Sequence, residues 1–445
     1  MKEEKLVEVA RAQEIPAIAN ISERYHANEI VVIGGGPAGL TTAAILARAG
    51  RSVTLVDQSS QVGGRARTAV YDDFYFNQGP HALYQAGAEV LRELGVVYTG
   101  SIISAAGVLK AGTITAFGIK QGKLYQFQSL EFGPMFDLLG KIDFSEIENM
   151  TVTEWLNKNV GNSDVADIVK AFLRTNTYAN DPDIQSAGSA LGQLARNISK
   201  GVMYIDGGWQ TLVDGLSAAA MSAKAKIVTG KKAIKIERRQ QNSGWLVNLS
   251  DESQLSANIV VMATGPIEAY ALFNDVDRPE VLSRAAKESR PVRMACLDIA
   301  LSTLPDKSKL GAIGIDTPVY FSVHSAYAKL ALENGGALIH VAKYLGTSID
   351  PKPTEDQREL ESLLDLLQPG WREVLVKKRP LPNMVVTNAL DTAVNGGLSG
   401  RPDTKILDDL YVVGDWVGPE GLLSDASFAS AKRAAKLIID SARIC

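Results

Sequence analysis

The alternation of apolar and polar positions divides the chain into strand-like and helix-like stretches. Residues 29–57 open with a short apolar run, pass through a glycine-rich turn into an alanine- and leucine-rich stretch, and close with a second apolar run. This pattern predicts a strand, a tight turn, a helix and a parallel strand. Residues 163–224 carry mostly helical spacing, and residues 225–263 return to strand patterns. Parallel strands joined through helices predict an α/β protein.

Shorter patterns predict further elements. Residues 113–127 alternate around a central glycine, which predicts a hairpin. Thr151 precedes Glu154 at the spacing of a capping box, which predicts the start of a helix. The remaining patterns predict strands at 318–325, 337–345 and 410–413, and helices at 355–377 and 425–442.

The spacing of Ile15, Ile18 and Ile21 is helical and predicts that residues 1–28 form a helical arm. We expect the arm to pack on the body of the protein. A contact with a second copy and a lid are alternatives, since periodicity does not identify the partner. The arm mixes acidic and basic residues and has no apolar core, so it does not resemble a secretory signal.

The composition limits the classes of protein that fit. A chain of 445 residues predicts about two or three domains, and 46% hydrophobic with 22% charged residues exclude a disordered protein. A formal net charge of −4 without a basic block argues against nucleic acid as the main partner. Cys296 and Cys445 lack the spacing of a disulfide framework or a zinc site, so we expect no metal and a cytoplasmic location.

Membrane insertion is not expected. The longest uncharged run, residues 30–47, is marginal in length and is interrupted by glycines, so we predict no transmembrane segment. Residues 133–140 are largely apolar and are expected to be a buried part of a helical cap. The alternatives for this segment are the lining of a tunnel and a peripheral membrane contact.

The sequence Gly34-Gly35-Gly36-Pro37-Ala38-Gly39 matches G-x-G-x-x-G between a predicted strand and a predicted helix. Such a turn needs its first glycine for the tight bend, its second for a close approach to a pyrophosphate, and its third for helix–strand packing. Asp57, at the end of the second predicted strand, stands where an acid would bind ribose hydroxyls. These features predict a dinucleotide site, against the alternative of a glycine turn with no ligand.

A second glycine pair follows at Gly63-Gly64, next to Arg65. Adjacent backbone N–H groups beside a guanidinium favour an anion. A nicotinamide enzyme needs no second phosphate-facing loop at this point, so the pair favours FAD over NAD.

The segment from Asp57 to Arg65 resembles the second glycine motif of the flavoprotein superfamily that contains amine oxidases, protoporphyrinogen oxidases and phytoene-type desaturases. Further segments that resemble this superfamily are 207–212 (G-G-x-x-x-L), 260–265 (ending A-T-G) and 411–415 with 420–421 (the C-terminal FAD motif). In general style the chain is most similar to bacterial phytoene-desaturase-like proteins.

The resemblance implies a two-domain α/β flavoprotein. An FAD-binding Rossmann-like domain of the two-dinucleotide-binding-domain type would comprise 29–84, 225–268 and 405–445. An inserted α+β substrate domain would comprise 85–224 and 269–404. The FAD contacts that it implies are Gly34, Gly36, Pro37, Ala38, Asp57, Gly63, Gly64, Arg65, Gly79, Ala233, Gly265, Gly414, Asp415 and Leu422. With no cysteine in 411–436, the flavin is expected to be non-covalently bound.

Catalytic residues are not identified by any motif. The candidates are His81, beside Gly79, together with His324, His340 and Lys343, which lie on predicted strands. A buried histidine that only satisfies a backbone group is the alternative for each of the three histidines. Trp416 is compatible with flavin stacking or with core packing, and Cys296 is expected to be inert core.

The resemblance implies an FAD-dependent oxidoreductase that removes two electrons from a small or lipophilic substrate, making a C–C or C–N bond unsaturated. Oxygen, a quinone or another acceptor would reoxidise the flavin. Alternatives are an amine oxidase that makes an imine and hydrogen peroxide, a flavin-dependent isomerase, and a non-catalytic carrier similar to GDP-dissociation inhibitors. A homodimer is compatible with the sequence, but no residue requires it.

Overall fold

The computed structural model describes residues 29–103, 116–126, 139–161, 163–239, 244–331, 335–347 and 350–441. The arm predicted at 1–28 and the apolar segment up to residue 138 lie outside the described residues. Cys445 also lies outside them.

The strands in this part of the chain are β1 (Glu29–Ile33), β2 (Ser52–Val56), β3 (Thr68–Tyr71), β4 (Phe74–Asn77), β5 (Ala82–Leu83), β6 (Gly100–Ile103), β7 (Ala116–Lys120), β8 (Lys123–Gln126), β9 (Val202–Ile205), β10 (Lys226–Val228), β11 (Ala233–Arg238), β12 (Trp245–Leu249), β13 (Gln254–Ala257), β14 (Ile259–Met262), β15 (Val292–Leu301), β16 (Gly311–Gly314), β17 (Val319–Val323), β18 (Ala337–Leu345), β19 (Leu375–Thr387), β20 (Lys405–Leu407) and β21 (Leu410–Val412). The helices are α1 (Pro37–Arg48), α2 (Gln85–Glu93), α3 (Val152–Asn159), α4 (Ser163–Thr177), α5 (Ala187–Lys200), α6 (Gln210–Ser222), α7 (Pro266–Ala271), α8 (Glu280–Glu288), α9 (Pro353–Leu367) and α10 (Leu423–Ser441).

A mostly parallel sheet with the strand order β10-β2-β1-β14-β21-β20 forms the first layer. Its strands read as apolar runs because both faces are covered. Helices α1, α6 and α10 pack on one face, and the small antiparallel sheet β11-β12-β13 packs on the other. Strand β20 is antiparallel to β21 at one edge. From β10 to β21 the order is that of a dinucleotide-binding sheet, in which later strands are added on the opposite side of β1.

A second sheet, with the order β19-β15-β18-β17-β16-β7-β8, forms a separate layer. Helix α9 covers one face through Leu360, Leu364 and Leu367. Helices α3, α4 and α5 form their own apolar cluster next to β16. Thr151 and Glu154 make the predicted capping box at the start of α3.

Two sequence-based expectations about elements were wrong. The helix expected at 355–377 ends at Leu367, because Pro369 and the left-handed Gly370 (φ 83°) follow, and the chain continues as strand β19. The strand expected at 318–325 ends at Val323, so His324 lies on a 3₁₀ turn. The mostly helical pattern of 163–224 is confirmed by α4, α5 and α6, with strand β9 between the last two, where it joins the small sheet β5-β9-β6.

The parallel sheet draws its strands from three separated parts of the chain, and the division into two domains stays a prediction. Helices α2 and α6, which that division assigns to the substrate domain, contribute Leu91, Leu212 and Leu216 to the core of the parallel sheet. Within the described ranges, each helix is too short or too polar to cross a bilayer.

Candidate functional site

The carboxyl ends of β1, β2, β14 and β21 meet at one edge of the parallel sheet. Gly34 N donates to Val56 O at 2.8 Å, and Ala263 N donates to Ile33 O at 2.7 Å. Val413 N donates in the same way to Met262 O at 3.0 Å. The loops that follow these strands therefore share one crevice, the usual place for a ligand in a parallel sheet.

The first glycine turn has one open face. A Cβ on Gly34, whose φ is 108°, would meet Ala263 O at 2.5 Å, and a Cβ on Gly39 would meet Gly34 O at 1.9 Å. A Cβ on Gly36 would meet nothing within 4 Å. Gly34 and Gly39 are thus required by the fold, whereas Gly36 leaves open space in front of the start of α1. Pro37 occupies the first turn of that helix, and Ala38 is buried behind it.

The carboxylate of Asp57 is fixed by backbone N–H groups. Gly35 N donates to Oδ2 at 2.6 Å and Ser59 N donates to Oδ1 at 2.7 Å. Lys231 N donates to Asp57 O at 3.0 Å, which brings the start of β11 at Ala233 close to this loop. The acid is therefore held against the glycine turn, as a ribose-binding acid would need to be.

The second glycine turn interlocks with the first. Gly63 N donates to Gly35 O at 2.7 Å, and the Cβ position of Gly64 lies 3.5 Å from Gly36 Cα. Both glycines are left-handed, with φ of 115° and 52°. The two turns therefore form one continuous backbone surface in front of α1.

Arg65 and Asp415 connect this surface to the end of β21. Arg65 Nη2 donates to Asp415 Oδ2 at 2.8 Å, while Nη1 donates to Val386 O at 2.7 Å. Asn388 also binds Asp415, through its Nδ2 at 2.8 Å from Oδ1. Burial alone would raise the pKa of Asp415, but Arg65 and Asn388 hold the pKa below its usual value. The carboxylate is therefore ionised and fixed.

The other predicted FAD contacts lie around the same edge. A Cβ on Gly79 would meet Arg65 O at 2.7 Å, and one on Gly265 would meet Asn388 Oδ1 at 2.9 Å. Gly414 N donates to Ser430 Oγ at 3.0 Å, so α10 holds this turn. Leu422 is buried directly before α10. Trp416 is core, and its Nε1 donates to Thr264 O at 2.9 Å.

The three described histidines come together although they are distant in sequence. The ring centroid of His81 lies 4.4 Å from that of His324 and 4.2 Å from that of His340. The rings of His324 and His340 are stacked, with their centroids 5.2 Å apart. His81 Nδ1 and His324 Nε2 are buried and have no hydrogen-bond partner among the described residues. We call these residues the histidine cluster. No set of His, Cys, Asp or Glu side chains in the described ranges is arranged to hold a metal ion.

Burial and the neighbouring rings keep two of these histidines neutral. Burial lowers the pKa of His81 well below its usual value, and the nearby His340 and His324 lower it further. Burial and His340 lower the pKa of His324 in the same direction.

A buried ion pair supports the histidine cluster. Asp298 accepts a hydrogen bond from His340 Nδ1 at 2.6 Å and from Arg379 Nε at 3.0 Å. The three residues are register partners across β19, β15 and β18. Burial by itself would raise the pKa of Asp298, but the His340 hydrogen bond and the charge of Arg379 bring the pKa down to about 2.

Two tyrosines, Tyr204 and Tyr320, adjoin the histidine cluster, and three more lie close to Tyr320. Tyr204 Oη lies 3.4 Å from Tyr320 Oη, and the ring of Tyr204 lies 5.0 Å from His324. Burial raises the pKa of all five phenols, so they stay neutral. We call this set the tyrosine group, which consists of Tyr84, Tyr178, Tyr204, Tyr320 and Tyr344.

Lys343 is not part of this assembly. Its Nζ donates to Asp356 at 2.9 Å and to Glu359 at 2.6 Å on α9. Sequence reasoning did not find Asp298, Arg379, Asn388 or Ser430. The one available signal was Asp298 itself, a lone acid in the apolar run of β15.

The buried neutral histidines predict a loss of stability in mild acid. Their folded-state pKa values lie below the value of about 6.5 in an unfolded chain, so the unfolded state binds more protons below that pH. We expect this stabilisation to be complete above about pH 7 and to decrease by about 1 kcal/mol for each histidine by pH 5.5. Urea unfolding at both pH values measures the loss. His324→Gln should show a smaller loss than the wild type; an identical loss would contradict the assignment.

Comparisons with known proteins agree with this geometry. The family described as an NAD(P)-binding Rossmann-like domain matches residues 32–94, which contain both glycine turns and Asp57. An L-amino acid oxidase from Crotalus durissus cumanensis is 41% identical over 70 residues, which are 15% of this chain and 14% of that protein. A probable flavin-containing monoamine oxidase A from Dictyostelium discoideum is 24% identical over 176 residues, 35% of this chain and 38% of that protein. The chain thus matches well under half the length of these relatives.

A solved structure extends the likeness over almost the whole chain. A putative protoporphyrinogen oxidase from Exiguobacterium sp. 255-15 aligns with a TM-score of 0.67 and 14% identity, covering 93% of this chain and 99% of that one. At this identity the likeness concerns the fold. The predicted α/β class with a Rossmann-like dinucleotide-binding domain is confirmed, and over parts of the chain so is the resemblance to flavin-containing amine and amino-acid oxidases.

Proposed function

We propose that the chain is an FAD-dependent oxidoreductase that removes two electrons from a small or lipophilic organic substrate. The observation that carries the proposal is the pair of interlocked glycine turns at the carboxyl edge of the parallel sheet, with Asp57 on one side and the Arg65–Asp415 pair on the other. A nicotinamide site would leave the second turn and this ion pair without a ligand to bind.

The residues at this edge fit FAD. Gly36 leaves room for the pyrophosphate, since its Cβ position is open and no described side chain caps the start of α1. Asp57 would bind the adenosine ribose through its remaining lone pairs. The flavin half would lie toward Arg65, Gly414 and Asp415. When bound, FAD supplies the two-electron chemistry, and the protein supplies orientation and exclusion of water.

The tyrosine group is the proposed substrate-facing wall. Arg65 binds Val386 O, and the side chain of Val386 packs with Tyr178, Tyr320 and Met384 in one apolar cluster. The proposed flavin site and this cluster are therefore neighbours. Neutral phenols and apolar side chains suit an uncharged or lipophilic substrate.

An amine oxidase is the second candidate, and the relatives named above support it. Lys343 gives it no support, since that side chain is bound to two carboxylates on α9. A carrier without catalysis is a weaker candidate, because it would not need the open face at Gly36. The proposal also includes reoxidation of the flavin by oxygen, a quinone or another acceptor. It is compatible with a homodimer.

The redox behaviour of the purified protein tests the proposal. The protein loaded with FAD is reduced under argon and then exposed either to air or to a water-soluble quinone. We expect the visible flavin bands to bleach on reduction and to return with at least one acceptor. Return in air with peroxide from an amine panel favours the amine oxidase, and return only with the quinone favours a dehydrogenase or desaturase. Loaded flavin that cannot be reduced and reoxidised would contradict an oxidoreductase.

A further inference from the structure

Three of the four histidines of the chain meet in the histidine cluster, and the fourth, His26, lies outside the described residues. We propose that His81 accepts the proton that is released when the substrate is oxidised. The proposal rests on the proposed function, because it assigns a residue to the same site.

The position of His81 places it between the proposed flavin site and the second sheet. Gly79, two residues earlier, packs against the backbone of Arg65, which bounds the proposed flavin site. Arg379 Nη1 donates to Phe76 O at 3.4 Å, so the same segment is also attached to the buried ion pair of the second sheet. His81 is therefore held from both sides.

Of the three clustered histidines, His81 is the most exposed. It is half-buried, whereas His324 is 2% and His340 is 4% exposed. Its Nδ1 is buried, which leaves Nε2 as the ring nitrogen for a substrate proton. The tyrosine group is close to this ring, because Tyr204 lies 5.0 Å from His324, which contacts His81.

The neighbouring side chains are poor proton acceptors. Burial raises the pKa values of the tyrosine group and of the Cys296 thiol, so none of these groups is a ready base. Asp298 is ionised, but both of its oxygens are bound to His340 and Arg379. A neutral imidazole is the base that this environment offers.

The charges around His81 keep it neutral before the reaction and accommodate one proton afterwards. The groups that face it are His324, His340, Asp298 and Arg379. Asp298 favours the protonated ring, and the other three oppose it. Additional negative charge on the flavin side would shift this balance toward protonation.

The proposed step is balanced. With FAD bound, the substrate C–H bond would break and its hydrogen would leave with two electrons to the flavin. The adjacent X–H bond, where X is carbon or nitrogen, breaks as its proton forms an N–H bond at His81 Nε2. The electron pair of the X–H bond becomes the new C=X π bond.

The test uses the FAD-loaded protein labelled with ¹⁵N in its histidine rings, because only four ring systems contribute signals. His81→Gln assigns the His81 signal by its loss. On reduction with dithionite at constant pH, the ratio of protonated to neutral His81 should rise about tenfold or more, the ratio that corresponds to one pKa unit.

Two outcomes separate this inference from the proposed function. A His81 ring that stays equally neutral in both redox states overturns the inference alone. Absence of protein-bound flavin after loading with FAD and removal of the free FAD overturns the proposed function and the inference with it. His324→Gln is the matched control, because it removes a shielded ring of the same cluster and should leave the change at His81 in place.

Discussion

Gly36→Ala is expected to weaken FAD binding while leaving the protein folded. The added Cβ meets no protein atom within 4 Å, and the φ of −74° at this residue suits alanine. The methyl group would instead occupy the space proposed for the pyrophosphate. Overpacking costs of about 1–3 kcal/mol correspond to about a five- to 150-fold loss of affinity. Titration of the apoprotein with FAD, followed by flavin fluorescence, measures the effect.

Gly192→Ala is the matched control for this prediction. Gly192 lies in α5, away from the carboxyl edge of the parallel sheet. Its added Cβ would lie 3.5 Å from Phe144, which is an ordinary van der Waals contact. We expect this variant to fold and to bind FAD as the wild type does. Wild-type FAD affinity in Gly36→Ala would contradict the proposed position of the pyrophosphate.

Asp298→Asn is expected to destabilise the protein strongly. The carboxylate side chain is 5% exposed and pairs with Arg379, which is 21% exposed. Removing the charge of Asp298 leaves the Arg379 guanidinium unpaired in a poorly solvated position. It also weakens the hydrogen bond from His340 to residue 298. Breaking a buried pair in this way costs about 3–5 kcal/mol, which urea unfolding at pH 7.5 measures.

A surface pair provides the comparison. Asp365 on α9 pairs with Arg372 in the 3₁₀ turn that follows the helix, and both side chains are about half exposed, at 50% and 52%. Asp365 also accepts a hydrogen bond from Trp371 Nε1 at 2.9 Å, which an asparagine oxygen can still accept. Such pairs contribute about 1 kcal/mol or less, so Asp365→Asn should change the free energy of unfolding only slightly. Equal effects of the two substitutions on the free energy of unfolding would contradict the assignment of Asp298, His340 and Arg379 as a buried ion pair with its histidine partner.

The dinucleotide edge could be predicted from the sequence because its requirements are local. Gly34 and Gly39 are needed by the backbone itself, and Asp57 follows at the end of the next strand. Such requirements leave a fixed pattern of residues within about thirty positions. The interlocking of the two turns through Gly35 and Gly63 has no such signature and appears only in the fold.

The histidine cluster could not be predicted for the opposite reason. His340 lies 42 positions from Asp298, and Arg379 lies 81 positions from it. Only the register of β15 with β18 and β19 brings them together, and a shift of one residue would turn each side chain to the other face. The spacing of apolar residues also does not reveal short turns. For this reason the 3₁₀ turn at His324 and the turn that ends α9 were not predicted.

Titration of the apoprotein with FAD and, separately, with NAD tests the proposed flavin site most directly. We expect one FAD bound per chain with resolved visible bands, and NAD binding that is at least about tenfold weaker. FAD that fails to bind, or NAD that binds more tightly, would contradict a flavin site built from the two glycine turns and the Arg65–Asp415 pair.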